Sequence, residues 1–196
     1  MKLSFGTKIG FAAVIALIGL FAVSAFMAPQ VQIQANENSD PFHQGIAYKG
    51  HVEVFKIPAS TKIPEKIADK DNLLVTNGKT YIRTQIGSGS ASASSSAHYI
   101  SLSNDATAPD AAWVDIPAEI TTNGLGRAAG TYAANGSGAY NYTYTWTASG
   151  AQSAQLTGLS YGGTPADNTL FAALQFTPVT LSINDQLRVI WSISIS

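Results

Sequence analysis

Cysteine is absent from the 196 residues, and with it go disulfides, zinc–thiolate sites, iron–sulfur clusters and thiol nucleophiles. Exported domains commonly rely on disulfides, so this core must be held by packing, sheet hydrogen bonds, bound ions or neighbouring subunits. Charge is scarce too: Asp, Glu, Lys and Arg make up 12% of the chain, about half the usual share. The formal net charge is -1, and such a chain lacks the clustered Lys and Arg that phosphate binding requires, which argues against nucleic acid as a partner. The histidines are His43, His51 and His98. They form no His-x-x-x-His or His-x-His spacing, so transition-metal chemistry is not expected. Aromatics nonetheless reach 10%, and with so little net charge the composition is that of a folded chain.

What is present begins with an address. Lys2 and Lys8 flank the start of an uncharged apolar run over residues 9–28, the pattern of a secretory signal with cleavage after Ala25 or Ala35. The run is about 20 residues, enough to span a bilayer as an uncleaved anchor. Either way the positive-inside rule places the remainder outside the cytoplasm. The expected organisation is a signal peptide or signal anchor over 1–35, a spacer over 36–70 and a β domain over 71–196.

Within the spacer, Val52, Val54 and Lys56 alternate with His51, Glu53 and Phe55, which predicts a single strand with two usable faces. Pro58, Pro64 and dense charge mark residues 57–70 as a connector, with room for one helical turn after Pro64. Residues 72–86 read either as a hairpin around Asn77-Gly78 or as a loop entering a helix over 79–86. Residues 87–97 are a Gly/Ser/Ala low-complexity stretch. Strands are then predicted over 98–103, 125–134, 139–148, 153–161, 170–177 and 186–195, separated by Gly, Asn, Asp and Pro clusters. That spacing points to an all-β, antiparallel β-sandwich or jelly-roll-like domain. The last strand is apolar at Leu187, Val189, Trp191, Ile193 and Ile195, so it must pair within the domain or with another copy.

Four stretches carry a resemblance: Leu-Val-Thr-Asn-Gly-Lys over 74–79, Tyr-Ile-Ser-Leu-Ser-Asn-Asp-Ala-Thr-Ala-Pro over 99–109, Ala-Glu-Ile-Thr-Thr-Asn-Gly-Leu-Gly-Arg-Ala over 118–128, and residues 170–193, which end on Trp-Ser-Ile. Residues 72–196 resemble a small domain family of phage tail and other virion structural proteins, also met in cellular proteins. The resemblance implies a β-sandwich assembly domain and brings no catalytic residue with it. Phage tail components normally assemble in the cytoplasm, so the signal-like N-terminus departs from that family and turns the expectation toward a cell-surface protein carrying the domain.

The candidates for chemistry are few. No Gly-x-Ser-x-Gly elbow accompanies a histidine and a carboxylate. Asp115 and Glu119, the nearest thing to a paired-carboxylate centre, are separated by Pro117 in a loop-like setting. Asp105 and Asp110, with Asp167 from another loop, are hard oxygen donors that suit a structural calcium ion; the plainer reading is turn formation. Tyr140, Tyr142, Tyr144 and Trp146 alternate with Asn141, Thr143, Thr145 and Thr147. This aromatic face, with Trp113, is either a glycan-stacking platform or one wall of a core. Asn135 and Asn141 lie in N-glycosylation patterns. The 48–56 strand either folds back on its own sheet or completes a neighbour's. Together these features predict a non-enzymatic, exported structural or assembly protein. Its partner would be itself or another surface protein through strand pairing, and the membrane would be met only through the N-terminal segment. An adhesin or carbohydrate-binding module is the alternative.

Overall fold

Alternation places Leu187, Val189, Trp191 and Ile193 on one face of a long strand, and all four are buried. In the computed structural model, which describes residues 47–87 and 96–196, that strand is near the centre of a sheet. The elements in chain order are β1 (Tyr48–Ile57), β2 (Glu65–Asp71), β3 (Leu73–Leu74), α1 (Thr76–Gly87), β4 (Tyr99–Ser103), β5 (Ala128–Ala129), β6 (Thr131–Ala134), β7 (Ala139–Thr147), β8 (Gln152–Ser160), β9 (Leu170–Leu181) and β10 (Gln186–Ile195). The strands form two antiparallel five-stranded sheets, ordered β2-β1-β10-β7-β6 and β3-β9-β8-β4-β5. The expected mostly-β, two-sheet architecture is therefore present. The signal or anchor at 1–35 lies outside the described residues, as does most of the 87–97 stretch. Among the described residues no helix is long and apolar enough to cross a membrane.

The 48–56 strand is not detached. It pairs along its length with β10, from Tyr48↔Ile195 to Ile57↔Gln186, and on its other side with β2. The boundary expected near residue 70 therefore separates nothing, because β1 and β2 belong to the same sheet as the last strand. The connector expected over 57–70 is a strand in its second half. Its charges, which look like those of a solvated linker, are paired: Lys66 Nζ lies 2.6 Å from Glu53 across the strands and 2.7 Å from Asp69 on its own strand. His51 Nε2 and Nδ1 lie 2.6 Å from Asp69 and 2.9 Å from Asp71. The β1–β2 loop is tied down by Asp185, whose carboxylate accepts the Ala59 and Ser182 amides at 2.8 and 2.9 Å. Those amides, with Lys56 nearby, hold the Asp185 pKa below its ordinary value.

Other predicted strands shift for local reasons. The 125–134 strand is two short ones in different sheets, joined at Gly130, where a side chain would crowd Ile100, Tyr142 and the His98 carbonyl. The 170–177 strand continues to Leu181 through a register break, in which residues 176–178 oppose Gln155. Pro178, which has no N–H to donate, sits in that break. The 72–86 region becomes a helix that begins at Thr76 and takes in Asn77 and Gly78.

The main core draws on both sheets, with Val52, Val54, Val189 and Trp191 from the first and Ile100, Leu102, Leu159 and Phe176 from the second. A smaller cluster joins Leu156, Leu170 and Ala173 of the second sheet to Ile116, with Trp113 packed on it. The chain between β4 and β5 supplies that cover. It is pinned by Ile120 N to Leu102 O at 2.8 Å, Leu170 N to Val114 O at 2.9 Å, and the Gln155 and Gln175 side-chain amides to the Asn104 and Ala106 carbonyls at 2.7 and 2.6 Å.

Candidate functional site: an apolar groove and an open strand edge

Helix α1 is held close to β9 by its first turn. The Asn77 side-chain amide donates to the Asn168 carbonyl at 2.8 Å and to the Tyr161 hydroxyl at 3.1 Å. Behind it, Gly78 gives the backbone room to approach Phe171. Tyr81 stacks on Tyr161, with ring centroids 4.6 Å apart, and meets Phe171 edge-on. Spacing along the helix then carries Ile82 and Ile86 to the same side.

Opposite them stand the ends of three strands of the first sheet: Tyr48 from β1, Ile193 and Ile195 from β10, and Tyr140 and Tyr142 from β7. The space between is an apolar groove with two adjoining lobes of about 400 and 170 Å³ that share Tyr48, Ile82, Ile86 and Ile195. Ile86 and Ile195 are 60% and 41% exposed. Two phenols of the wall, Tyr48 and Tyr140, are held protonated well above ordinary pH. Burial, with smaller contributions from Tyr142, Tyr81 and Tyr132, pushes the Tyr140 pKa up to about 12. Burial raises Tyr48 further, although a hydrogen bond from Asn72 works against it.

Next to the groove runs β6, every residue of which is exposed. It pairs with β7 in the register Tyr132↔Tyr142 and Ala134↔Tyr140, and Asn135 N donates to Ala139 O at 2.9 Å. Pairs alternate between bonded and non-bonded along an antiparallel ladder. The 133↔141 and 131↔143 pairs are therefore the bonded ones, and the N–H and C=O of Tyr132 and Ala134 point away from β7. The sheet's other edge, β2, carries Glu65, Lys66, Asp69, Lys70 and Asp71. Charge of that kind discourages strand addition. β6 has none.

The aromatic ladder is not a displayed platform. Tyr140, Tyr142, Tyr144 and Trp146 register with Ile193, Trp191, Val189 and Leu187 and so face the core. Trp146 is 2% exposed and donates its indole N–H to the Gly126 carbonyl at 2.7 Å. Tyr142 is buried, while Tyr140 and Tyr144 are half-buried. The ring left in the open is Tyr132, 58% exposed and 5.8 Å from both Tyr140 and Tyr142. Trp113 belongs to the separate cluster on the second sheet and does not join the ladder.

Asp105, Asp110 and Asp167 are not brought together either; among the described residues no three acidic or histidine side chains gather as a metal site would require. Asp105 accepts the Thr107 amide and Asp110 the Ala112 amide, both at 2.7 Å. Asp167 binds Thr169 and sits 3.3 Å from Arg127. Asp115 accepts the Asn168 amide.

Arg127 forms a cluster that sequence reading missed. Its side chain is 2% exposed and makes a two-pronged bond to Glu119 at 2.7 and 3.0 Å, with a further bond to the Gly162 carbonyl at 2.9 Å. Burial alone would lower its pKa, and Glu119 with Asp167 more than offsets that, holding it above the ordinary value. With its fork on Glu119 and its remaining bonds to Gly162 and Asp167, the cluster is a brace between the β4–β5 segment and the β8–β9 loop. No protein-family model, no curated protein and no solved structure matches the chain.

Proposed function

We propose that this chain is a non-enzymatic structural subunit, exported by its N-terminal segment, that assembles at a cell surface or in an appendage through strand pairing. In this reading the two sheets are a jelly-roll-like sandwich of the kind found in phage tail and virion structural proteins, used here outside the cytoplasm. The observation that carries it is the edge at β6: exposed, uncharged, with main-chain groups at Tyr132 and Ala134 that β7 does not use, beside an apolar groove. Main-chain pairing supplies affinity at such an edge, and pockets for alternate side chains supply selectivity. The inward aromatic ladder supports the same reading, since those rings are spent on packing. Export rests on the Lys2/Lys8 flanks and the apolar run that follows.

Sedimentation and negative-stain microscopy of the purified full chain test the proposal. Filaments or ordered oligomers are expected, and a stable monomer over a wide concentration range overturns it. Exposed Tyr132 favours one second reading, a glycan-stacking contact. A glycan array probed with the wild type and with Tyr132→Ala, showing binding only for the wild type, would establish that instead.

A further inference from the structure

The open edge has a defined chemistry on each face. On its inner face an added strand would lie beside Tyr132 and Ala134 and lead toward the groove wall at Tyr140 and Ile193. On its outer face it would continue a polar row of Asn141, Ser192 and His51, which stand in register across β7, β10 and β1. A fitting strand therefore alternates apolar residues inward with uncharged polar residues outward. One stretch of this chain outside the described residues has that pattern. Gln30, Gln32 and Gln34 alternate with Val31, Ile33 and Ala35, the period-2 signature of a half-buried strand, with no charge and no internal proline.

We infer that β6 of one copy takes residues 30–35 of a second copy as an added strand, Val31, Ile33 and Ala35 facing the groove side and the glutamines facing out. This rests on the assembly reading above and names the segment that performs it. The β1·β10 ladder continues through Ala47, which exchanges bonds with Ser196 at 2.7 and 3.1 Å. Ala47, the first described residue, thus lies at the groove end of β1. β10 and β7 stand between that end and β6 of the same sheet. Residues 36–46 reach about 35 Å at full stretch, far enough to place the segment on a neighbour stacked against that end. Donor and acceptor are different surfaces, so the contact is heterologous and propagates, as a ring where the rotation between copies closes and as a filament where it does not.

Because the chain has no cysteine, disulfide trapping tests this directly. Full-length chains carrying Gln30→Cys, Gln32→Cys or Gln34→Cys are each mixed with a chain carrying Ala133→Cys, whose side chain faces outward, and oxidised. A disulfide-linked dimer in at least one mixture is expected. A doubly substituted chain that links only to itself overturns the inference in favour of pairing within one molecule. Ala134→Pro removes an amide that β7 does not use, so an unchanged melting temperature with lost assembly is expected. Assemblies that persist in Ala134→Pro and give no linked dimer overturn the inference while leaving the assembly reading in place; absence of any assembly in the wild type overturns both. Intact mass of the exported protein gives an independent check, since residues 30–35 must be retained. Cleavage after Ala25 or no cleavage agrees, and cleavage after Ala35 overturns the proposal.

Discussion

A Cβ on Gly78 would stand 2.1 Å from the Phe171 carbonyl oxygen, so α1 and β9 meet backbone to backbone. In an open helix Gly→Ala stabilises by about 1 kcal/mol. Here the added methyl meets main chain that cannot rotate aside, and overpacking of this kind costs roughly 1–3 kcal/mol. Gly78→Ala is therefore expected to lower Tm by several degrees in a thermal melt. A rise would mean that the helix has room to lift from the sheet.

Arg127 and Glu119 are both nearly inaccessible, at 2% and 6% side-chain exposure. Arg127→Ala leaves a buried carboxylate without its partner, and the expected loss is about 3–5 kcal/mol by urea denaturation. Replacing the pair together, Arg127→Met with Glu119→Leu, should recover much of it. A double variant as unstable as the single one would mean that the Gly162 and Asp167 contacts, not the paired charge, hold this corner.

His51 lies between two carboxylates of the edge strand. Hydrogen bonding to Asp71 first, then the bond and charge of Asp69, raise its pKa above the ordinary value of 6.5. Its contribution is complete below that ordinary value and fades as pH rises through the raised one. Asp69 is held below its ordinary value by Lys66 first and His51 second, so its contribution is lost on strong acidification. The β1·β2 pairing should be firmest in mildly acidic solution. An NMR titration should place the His51 midpoint above 6.5 and show β2 amides moving with it, and His51→Gln should abolish the coupled shift.

Alkali should act on the groove wall. Tyr140 ionises at about 12 in the folded protein and near 10 when unfolded. The sign follows: its stabilisation is complete below about pH 10 and drains as pH rises toward 12. Unfolding midpoints followed across that range should fall, and Tyr140→Phe should flatten the decline. An identical decline in Tyr140→Phe would assign the effect to other tyrosines.

The long strands were legible because their periodicity is strong. Apart from Ala139 and Ile190, β7 and β10 alternate ring or aliphatic against polar residue, and the structure places them where that alternation requires. β9 was harder, since Leu170, Phe171, Ala172, Ala173 and Leu174 are all buried. One side meets the main core and the other the Ile116 cluster, so no exposed face marks its register. β2 was misread because its charges suit a linker as well as a paired edge, and sequence alone does not reveal His51 across from them. The Arg127 brace was invisible for another reason. Glu119 and Arg127 lie eight residues apart in the β4–β5 segment and Asp167 in the β8–β9 loop, and only the completed sheets bring the three within bonding distance. The split at Gly130 has a local cause, a crowded corner between two sheets, that no periodicity records.

β1 is held between β2 and β10, and β10 is the last strand among the described residues. A chain that emerges N-terminus first therefore carries Val52 and Val54 without their β10 partners until β10 has been synthesised. Pairings of such long sequence separation form slowly because the intervening loop must close first. The first sheet cannot be completed piecemeal from its N-terminal end, so that half of the fold stays open until β10 arrives.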